Sequence, residues 1–417
     1  MNGNHSAAEW KYRRRWLGEQ LRKAADAHPV LVLTGARQVG KSTLLQHEAP
    51  FSGWRYQSLD ELDVRDQARR EPEALWAGAQ QVIIDEVQRV PELLSAVKRE
   101  VDRRQRRVRF ALTGSANLAM MSSVSESLAG RAVSFVLPPM TIGEATGGKR
   151  RGLVGKLLAG ELPRESVNRA PEVELSELLV RGFVPPVLGL PDADAVLRWW
   201  EGYVSTYLER DLRQLSQVES LPDFRRVMEA FALRSGQLVN QTEVSRDVGV
   251  SQPSVHRYLG LLETSMVVHR LPAFFRNRTK RLIKRPKLYF LDPALAAFLV
   301  GHFDAESLLR SREAGALFET LVHLQLRAAA ELLTPKASIF YWRTTTGREV
   351  DFVLEQGRRL VGFEVKLSPK PRYEDTAGLR LFLQEYPEAD AAVLVHAGNR
   401  TKRLGDKIVA LPWYLLS

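Results

Sequence analysis

The chain contains no cysteine. That removes disulfides, thiolate zinc sites, iron–sulfur clusters and cysteine nucleophiles from consideration, so any metal must sit on oxygen or histidine ligands. Long apolar runs are missing too: no stretch of 18 or more apolar residues occurs, and no segment reads as a membrane span. The N-terminus carries Lys11, Arg13, Arg14 and Arg15 with no apolar stretch behind them, which is not the pattern of a secretory signal. A cytoplasmic protein without a membrane partner is expected. Acidic residues are in deficit, 49 Asp and Glu against 60 Lys and Arg, for a net charge of +11. A surplus of that size favours polyanionic partners, nucleic acid before membrane.

At 417 residues the chain is too long for one core, and the usual domain size predicts roughly two to four modules. Hydrophobic residues make up 44% and charged residues 26%, so every module is expected to fold.

Residues 30–33 are continuously apolar and lead into Gly35-Ala36-Arg37-Gln38-Val39-Gly40-Lys41-Ser42-Thr43. A buried strand, a loop and a helix start follow from that pattern. The spacing of Gly, four residues and Gly-Lys-Ser lets backbone N–H groups of a helix N-terminus converge on phosphates. Gly35, Gln38, Gly40, Lys41, Ser42 and Thr43 are therefore expected to hold a nucleotide, with Lys41 at the β/γ-phosphates and Ser42 on Mg2+. A second buried strand, residues 81–84, ends in Asp85-Glu86. Asp85 is expected in the magnesium shell and Glu86 beside the attacking water. ATP and Mg2+ are the implied cofactors.

A third strand, residues 108–112, ends in Thr113-Gly114-Ser115-Ala116-Asn117. It places a polar group level with the γ-phosphate; Thr113, Ser115 and Asn117 all qualify, Ser115 is the residue expected there, and a plain turn is the rival. Arg131, just before the apolar residues 133–137, is a candidate arginine finger. Acting in trans it would require an oligomer, for which a hexamer is one arrangement; a surface salt bridge is the competing reading.

With Thr-Gly-Ala-Arg-Gln-Val-Gly-Lys-Ser, Ile-Ile-Asp-Glu-Val-Gln, Leu-Thr-Gly-Ser and Ser-Leu-Ala-Gly-Arg in this order, the chain resembles a large family of predicted prokaryotic AAA+ ATPases whose C-terminal half is a domain of unknown function. The resemblance extends to Tyr207-Leu208-Glu209-Arg210-Asp211-Leu212 and Gly315-Ala316-Leu317-Phe318-Glu319, and so spans almost the whole chain. Residues 181–186 depart from it, where the family more often has paired glycines before an aromatic residue and proline. The resemblance implies an architecture more than a task.

The expected fold class is α/β multidomain: a P-loop AAA+ parallel α/β/α sheet over 1–145, a helical lid or linker over 146–220, a winged helix-turn-helix over 221–292, and an α/β restriction-endonuclease-like domain over 293–417. In the third segment Gly249 permits the tight turn, Val244, Val248 and Val255 face inward, and Gln252, Ser254, His256 and Arg257 project from the recognition helix. A lone histidine such as His256 reads as a polar contact, not a metal ligand. Strands near residues 266–274 and 287–291 would form a wing. Between them Arg276, Arg278, Lys280, Arg281, Lys284, Arg285 and Lys287 make a basic stripe without an interleaved acid, suited to DNA phosphates. A protein-docking or oligomer module is the alternative.

Residues 338–344, 349–354 and 360–367 read as an antiparallel meander. Asp351 falls on its second strand, and period two puts Glu364 and Lys366 on one face of the third. With Glu319 from a preceding helix, this looks like a PD-(D/E)XK core of the Holliday-junction-resolvase kind. Asp351, Glu364 and Glu319 would bind a metal, and Lys366 would orient water. The expected function is an oligomeric ATP-driven motor on duplex or branched DNA, with DNA cleavage an open addition. An ATP-switched DNA-binding regulator with an inactive nuclease-like domain is the alternative, and a protein-remodelling ATPase is a further one.

Overall fold

The computed structural model describes residues 12–115, 128–211 and 220–417; the side chains of Ser115, residues 208–211, Lys280, Leu282 and Ile283 lie outside that description. The described chain up to Met140, with residues 184–189 and 264–266, forms one compact unit, and the remainder forms a second. The first boundary lies near the expected one at 145. The lid, winged-helix and nuclease-like segments instead share a single unit, because their elements pair across the expected borders: Asn168 bonds the Asn399 carbonyl, and Ser235 meets Thr320.

In the first unit, β1 (Val30–Gly35), β2 (Arg55–Ser58), β3 (Gln81–Asp85), β4 (Arg109–Ser115) and β5 (Ala132–Val136) form a parallel sheet in the order β2-β3-β4-β1-β5. All six residues of β1 are buried, as a parallel strand covered on both faces requires. Helices α1 (Leu17–Ala27), α2 (Lys41–His47), α3 (Leu62–Arg70) and α4 (Leu93–Arg103) connect and cover the strands. Leu93, Leu94, Val97 and Val101 line the buried stripe of α4, a spacing of three and four that matches the helical repeat. Trp76 meets Phe110 edge to face at 5.2 Å in the core beneath. Because every strand runs the same way, the ends of β1 and β3 emerge on one edge with β4 between them.

The second unit is built on a seven-stranded mixed sheet, in the order β6-β13-β14-β12-β11-β10-β9. Its strands are β6 (Ser166–Val167), β9 (Ser338–Arg343), β10 (Glu349–Gln356), β11 (Arg359–Lys366), β12 (Ala391–His396), β13 (Arg400–Arg403) and β14 (Ile408–Pro412). The meander β9-β10-β11 is antiparallel as expected, whereas β11, β12 and β14 run parallel. Helix α8 (Ala314–Glu331) precedes the meander and α9 (Ala377–Glu385) crosses from β11 to β12. Phe382 of α9 packs on Trp342 and Tyr386, with Val350, Val353 and Leu360 in the same core. Strand β6 adds a short strand to the segment expected as a helical lid or linker, 146–220: Arg400 pairs with Val167 and draws the segment into the sheet.

Helices α5 (Leu221–Ala232), α6 (Gln241–Val248) and α7 (Gln252–Thr264) follow the expected helix-turn-helix pattern. Gly249 between the last two sits at φ 67°, a left-handed conformation that L side chains resist. Val244 and Val255 are buried. Strands β7 (Val268–Leu271) and β8 (Lys287–Phe290) pair antiparallel, but the connection is not a plain hairpin; it contains a short helix over Arg278–Ile283, started by the Asn277 side chain accepting from Thr279 N.

Candidate functional sites

The phosphate loop closes tightly. A Cβ on Gly35 would stand 2.5 Å from the Leu137 carbonyl oxygen, so only glycine admits this approach. Gln38 and Gly40 adopt positive φ, and Gln38 is exposed at the loop tip. Lys41 opens α2 at 5% exposure and donates to the carbonyls of Gly35 (3.1 Å) and Ala36 (3.0 Å). Burial lowers its pKa, opposed by Glu86 and Asp85. A buried ammonium held only by carbonyls of its own loop is a strong electrostatic host for a phosphate. Ser42 and Thr43, in the first turn of α2, are part-exposed. The loop residues thus fit a nucleotide.

Asp85 ends β3 with both carboxylate oxygens engaged. Tyr56 of β2 donates to Oδ2 at 2.5 Å, and Thr113 of β4 donates to Oδ1. Tyr56 also accepts from Ser42, so one hydroxyl joins the two residues expected to share magnesium. Burial, then the hydrogen bond to Asp85, pushes its pKa up. Thr113 is fully buried on the acid, and Glu86 N donates to it at 3.4 Å. Ser115 lies level with Gly35 by strand register, which suits the γ-phosphate position, while its side chain and Asn117 lie outside the description. Glu86 is left-handed at φ 57° and accepts from Gln88. Its carboxylate is thereby held beside Asp85, not on it.

Sequence reasoning missed Tyr56 and Arg15. Arg15 is buried, and its guanidinium donates to Val39 O (2.7 Å) and Pro138 O (2.7 Å), tying the phosphate loop to the segment after β5. Nothing in a single sequence distinguishes it from its exposed neighbour Arg14. Arg131 precedes β5, at the sheet edge opposite the loop, and forms a bidentate pair with Asp102 (2.7 and 2.8 Å). From there it cannot reach the phosphate loop of its own sheet.

In the second unit the expected basic stripe is partly neutralised, which corrects the reading of it as uncompensated. Arg281 makes a bidentate pair with Glu355 and lies against Phe274 and Phe340; Arg276 pairs with Glu388. The partners come from distant strands and loops, which a local reading of charge cannot see. Arg278, Lys284 and Arg285 remain exposed with no ion pair among the described residues, and the side chain of Lys280 lies outside them. On α7, Gln252, His256 and Arg257 are exposed and Ser254 is half-buried, capped by Ser251. His256 contacts Gln241 at 3.2 Å, the polar contact anticipated for it.

Lys287, assigned to that stripe, is 3% exposed and points the other way. Its ammonium stands 3.3 Å from Glu319, 3.5 Å from Glu349 and 3.6 Å from Asp351. Tyr289, two residues on along β8, donates to the same Glu319 carboxylate. The missed signal was a lysine opening an otherwise apolar, wholly buried strand. Burial pulls the Lys287 pKa down, but the three carboxylates more than reverse this and hold it charged.

Asp351 sits at a register shift between Val350 and Val353, and accepts from Val365 N at 2.8 Å, so the bulge turns its side chain toward β11. Glu364 follows on β11; its Oε1 accepts from Lys366 Nζ at 2.7 Å, whereas Oε2 is buried without a partner. Burial, then the charge of Asp351, raises the pKa of both Glu319 and Glu364, the latter to about 8. As the side chains stand, no group of three acids or histidines among the described residues is placed to hold an ion. Asp351 lies between Glu319, with which it shares Lys287, and Glu364, which is paired with Lys366. An orphaned buried carboxylate oxygen fits a divalent cation at Asp351 and Glu364.

Residues 27–146 match the model of the AAA domain, residues 172–306 a domain of unknown function (DUF8612), and residues 314–416 a domain of unknown function (DUF4143). Two uncharacterized proteins, one of Mycobacterium bovis and one of Mycobacterium tuberculosis, are each 33% identical over 404 residues, covering 96% of this chain and 83% of theirs. The chain belongs to their family. Its first part is a P-loop domain of the AAA class, matching the parallel sheet and its loop. A Walker-type ATPase of Pyrococcus abyssi is 18% identical, covering 70% of this chain and 97% of that one at a TM-score of 0.47. Among the described residues no helix is long and apolar enough to cross a membrane.

Proposed function

We propose that the protein is an ATP-hydrolysing, oligomeric, DNA-processing motor of the cytoplasm, in which nucleotide turnover changes how the C-terminal half holds DNA. The observation that carries the ATPase half is the buried Lys41 ammonium at a helix start beside Asp85 and Glu86. Lys41, Ser42, Thr43 and the backbone of residues 35–40 would hold the triphosphate, and Ser42 with Asp85 would hold Mg2+. The magnesium ion, when bound, supplies charge neutralisation between β- and γ-phosphates. Tyr56 and Thr113 fix the Asp85 carboxylate, Glu86 orients water, and Arg131 would serve a neighbouring subunit's site.

The DNA half of the reading rests on exposed Gln252, His256 and Arg257 after a tight Gly249 turn, with Arg278, Lys284 and Arg285 available to phosphates. These features support the reading of the segment as a winged helix-turn-helix. The meander, the Asp351 bulge and Glu364-X-Lys366, with a parallel crossover through α9, support a nuclease-like fold. The deciding experiment is ATP turnover measured with duplex, single-stranded and four-way DNA, with Lys41→Ala as control. Stimulation by one of these structures, lost in the variant, is expected; turnover indifferent to all three would remove the DNA half.

A second reading, an ATP-switched DNA-binding regulator whose nuclease-like domain does not cut, is favoured by Lys287 filling part of the carboxylate cluster. Cleavage of branched DNA with Mg2+ or Mn2+, compared between the wild type and Asp351→Ala, separates the two.

A further inference from the structure

The cluster in the second unit has four carboxylates and two lysines, and the two lysines are placed differently. Lys366 is part-exposed and touches only Glu364. Lys287 is buried, reaches across from β8, and stands within 3.6 Å of Glu319, Glu349 and Asp351 at once. Its ammonium lies 5.9 Å from the centre of the Tyr341 ring, and Tyr289 donates to Glu319. Within this group, the buried carboxylate oxygen left without any donor is Glu364 Oε2, 3.3 Å from where a Cβ on Gly378 would stand.

We propose that Lys287 is a resident cation of the carboxylate cluster. Its ammonium takes the place that a divalent ion shared by Glu319, Glu349 and Asp351 would occupy, so the cluster admits at most one such ion, at Asp351 and Glu364. The inference deepens the reading of Asp351 and Glu364 as a cation site and rests on it. Charge balance supports the division. An ammonium neutralises one of three neighbouring carboxylates, hydrogen-bonds Glu319, and is covalently tethered, whereas Glu364 Oε2 keeps a donor deficit that an ion can fill. The residue that supplies this cation belongs to the strand pair after the helix-turn-helix. The segment expected to grip DNA and the carboxylate cluster are therefore joined by one charged side chain, not only by chain connectivity.

The test uses the full-length protein without nucleotide, so that no phosphate completes a magnesium site at Ser42 and Asp85. Mn2+ uptake is followed by the paramagnetic resonance of the free ion, and metal-dependent Tm is measured in parallel. The wild type is expected to take up one Mn2+ and Glu364→Gln none. Lys287→Met is expected to unfold at a lower temperature without metal, to recover on adding Mn2+, and to bind a second ion or the first at least tenfold more tightly. If Lys287→Met does not fold alone, folding restored by Mn2+ supports the proposal, and the double variant Lys287→Met/Glu319→Gln is put through the same titration if it is not. Uptake and metal-dependent Tm identical to wild type in the folded variant overturn it. Loss of the cation reading itself looks different: wild-type uptake would then be unaffected by Glu364→Gln, whatever Lys287→Met does.

Discussion

Two buried lysines, Lys41 and Lys287, have nearly the same exposure and opposite electrostatic situations. Lys41 is held by two backbone carbonyls and its pKa falls because burial dominates; Lys287 is ringed by three carboxylates and its pKa rises although burial opposes it. A buried cation left short of negative charge is a binding site waiting for an anion. One already matched by carboxylates is a structural element, and what remains reactive is the carboxylate it fails to reach. The contrast separates a site built to receive phosphate from one built around an internal ion.

The sharpest way to break the comparison is to remove each lysine. Lys41→Ala should reduce ATP turnover by about a hundredfold or more, measured by phosphate release, because a donor to developing charge is lost. The same change should leave Tm unchanged or raise it, since an incompletely paired buried charge disappears. Lys287→Met should do the reverse to stability, costing about 3–5 kcal/mol by denaturant unfolding, because the buried Asp351 and the part-buried Glu319 and Glu349 lose their shared partner. Equal Tm changes in both variants would end the distinction.

Tyr56→Phe comes next in size. It removes the hydroxyl between Ser42 and Asp85, and should raise the Mg2+ concentration needed for half-maximal turnover roughly tenfold, as loss of an outer partner of a metal ligand does. The Km for nucleotide measured at saturating Mg2+ should move much less. A pure structural role for Tyr56 would lower Tm and leave the Mg2+ dependence alone.

A pH titration sharpens the carboxylate side. Glu364 has a folded-state pKa raised to about 8, so at neutral pH the folded protein binds a proton that the unfolded chain, titrating near the ordinary glutamate value, has released. Its contribution is neutral below the unfolded pKa and becomes a penalty that grows as pH rises toward the folded one. Stability should therefore fall between about pH 5 and 8, by at most about 1.4 kcal/mol per pH unit for one proton. Glu364→Gln should flatten this slope in thermal unfolding, and added Mn2+ should do the same in the wild type. The smallest effect expected on stability is that of Arg131→Ala, which breaks an exposed pair with Asp102. If Arg131 serves a neighbouring subunit, turnover falls while Tm holds; if both hold, Arg131 is only a surface contact.

Much of the first unit was legible because its chemistry is local. The strand, loop and helix around Lys41 occupy residues 30–47, and the apolar run ending in Asp85-Glu86 sits where the parallel sheet brings it to the same edge. The helices on either side of Gly249 were legible for the same reason, with the glycine turn, buried Val244 and Val255 and the Ser251 cap in one short stretch. The basic segment between β7 and β8 misled because its charges are matched from afar: Glu355 lies 74 positions from Arg281, and Glu388 lies 112 from Arg276. Lys287 was taken for part of that stripe since neighbours in sequence look alike in charge whatever way they point.

By itself, then, the sequence determined the phosphate loop, the acidic strand end, the turn helices and the order of the meander strands. Each depends on period, turn chemistry and short spacing, which act between near neighbours. The tertiary structure alone decided that Arg15 and Tyr56 support the nucleotide site, that Arg276 and Arg281 are neutralised, and that Lys287 divides the carboxylates. Those outcomes hang on which distant charges share a low-dielectric neighbourhood, and that is set by sheet order and the Asp351 bulge, not by any local pattern.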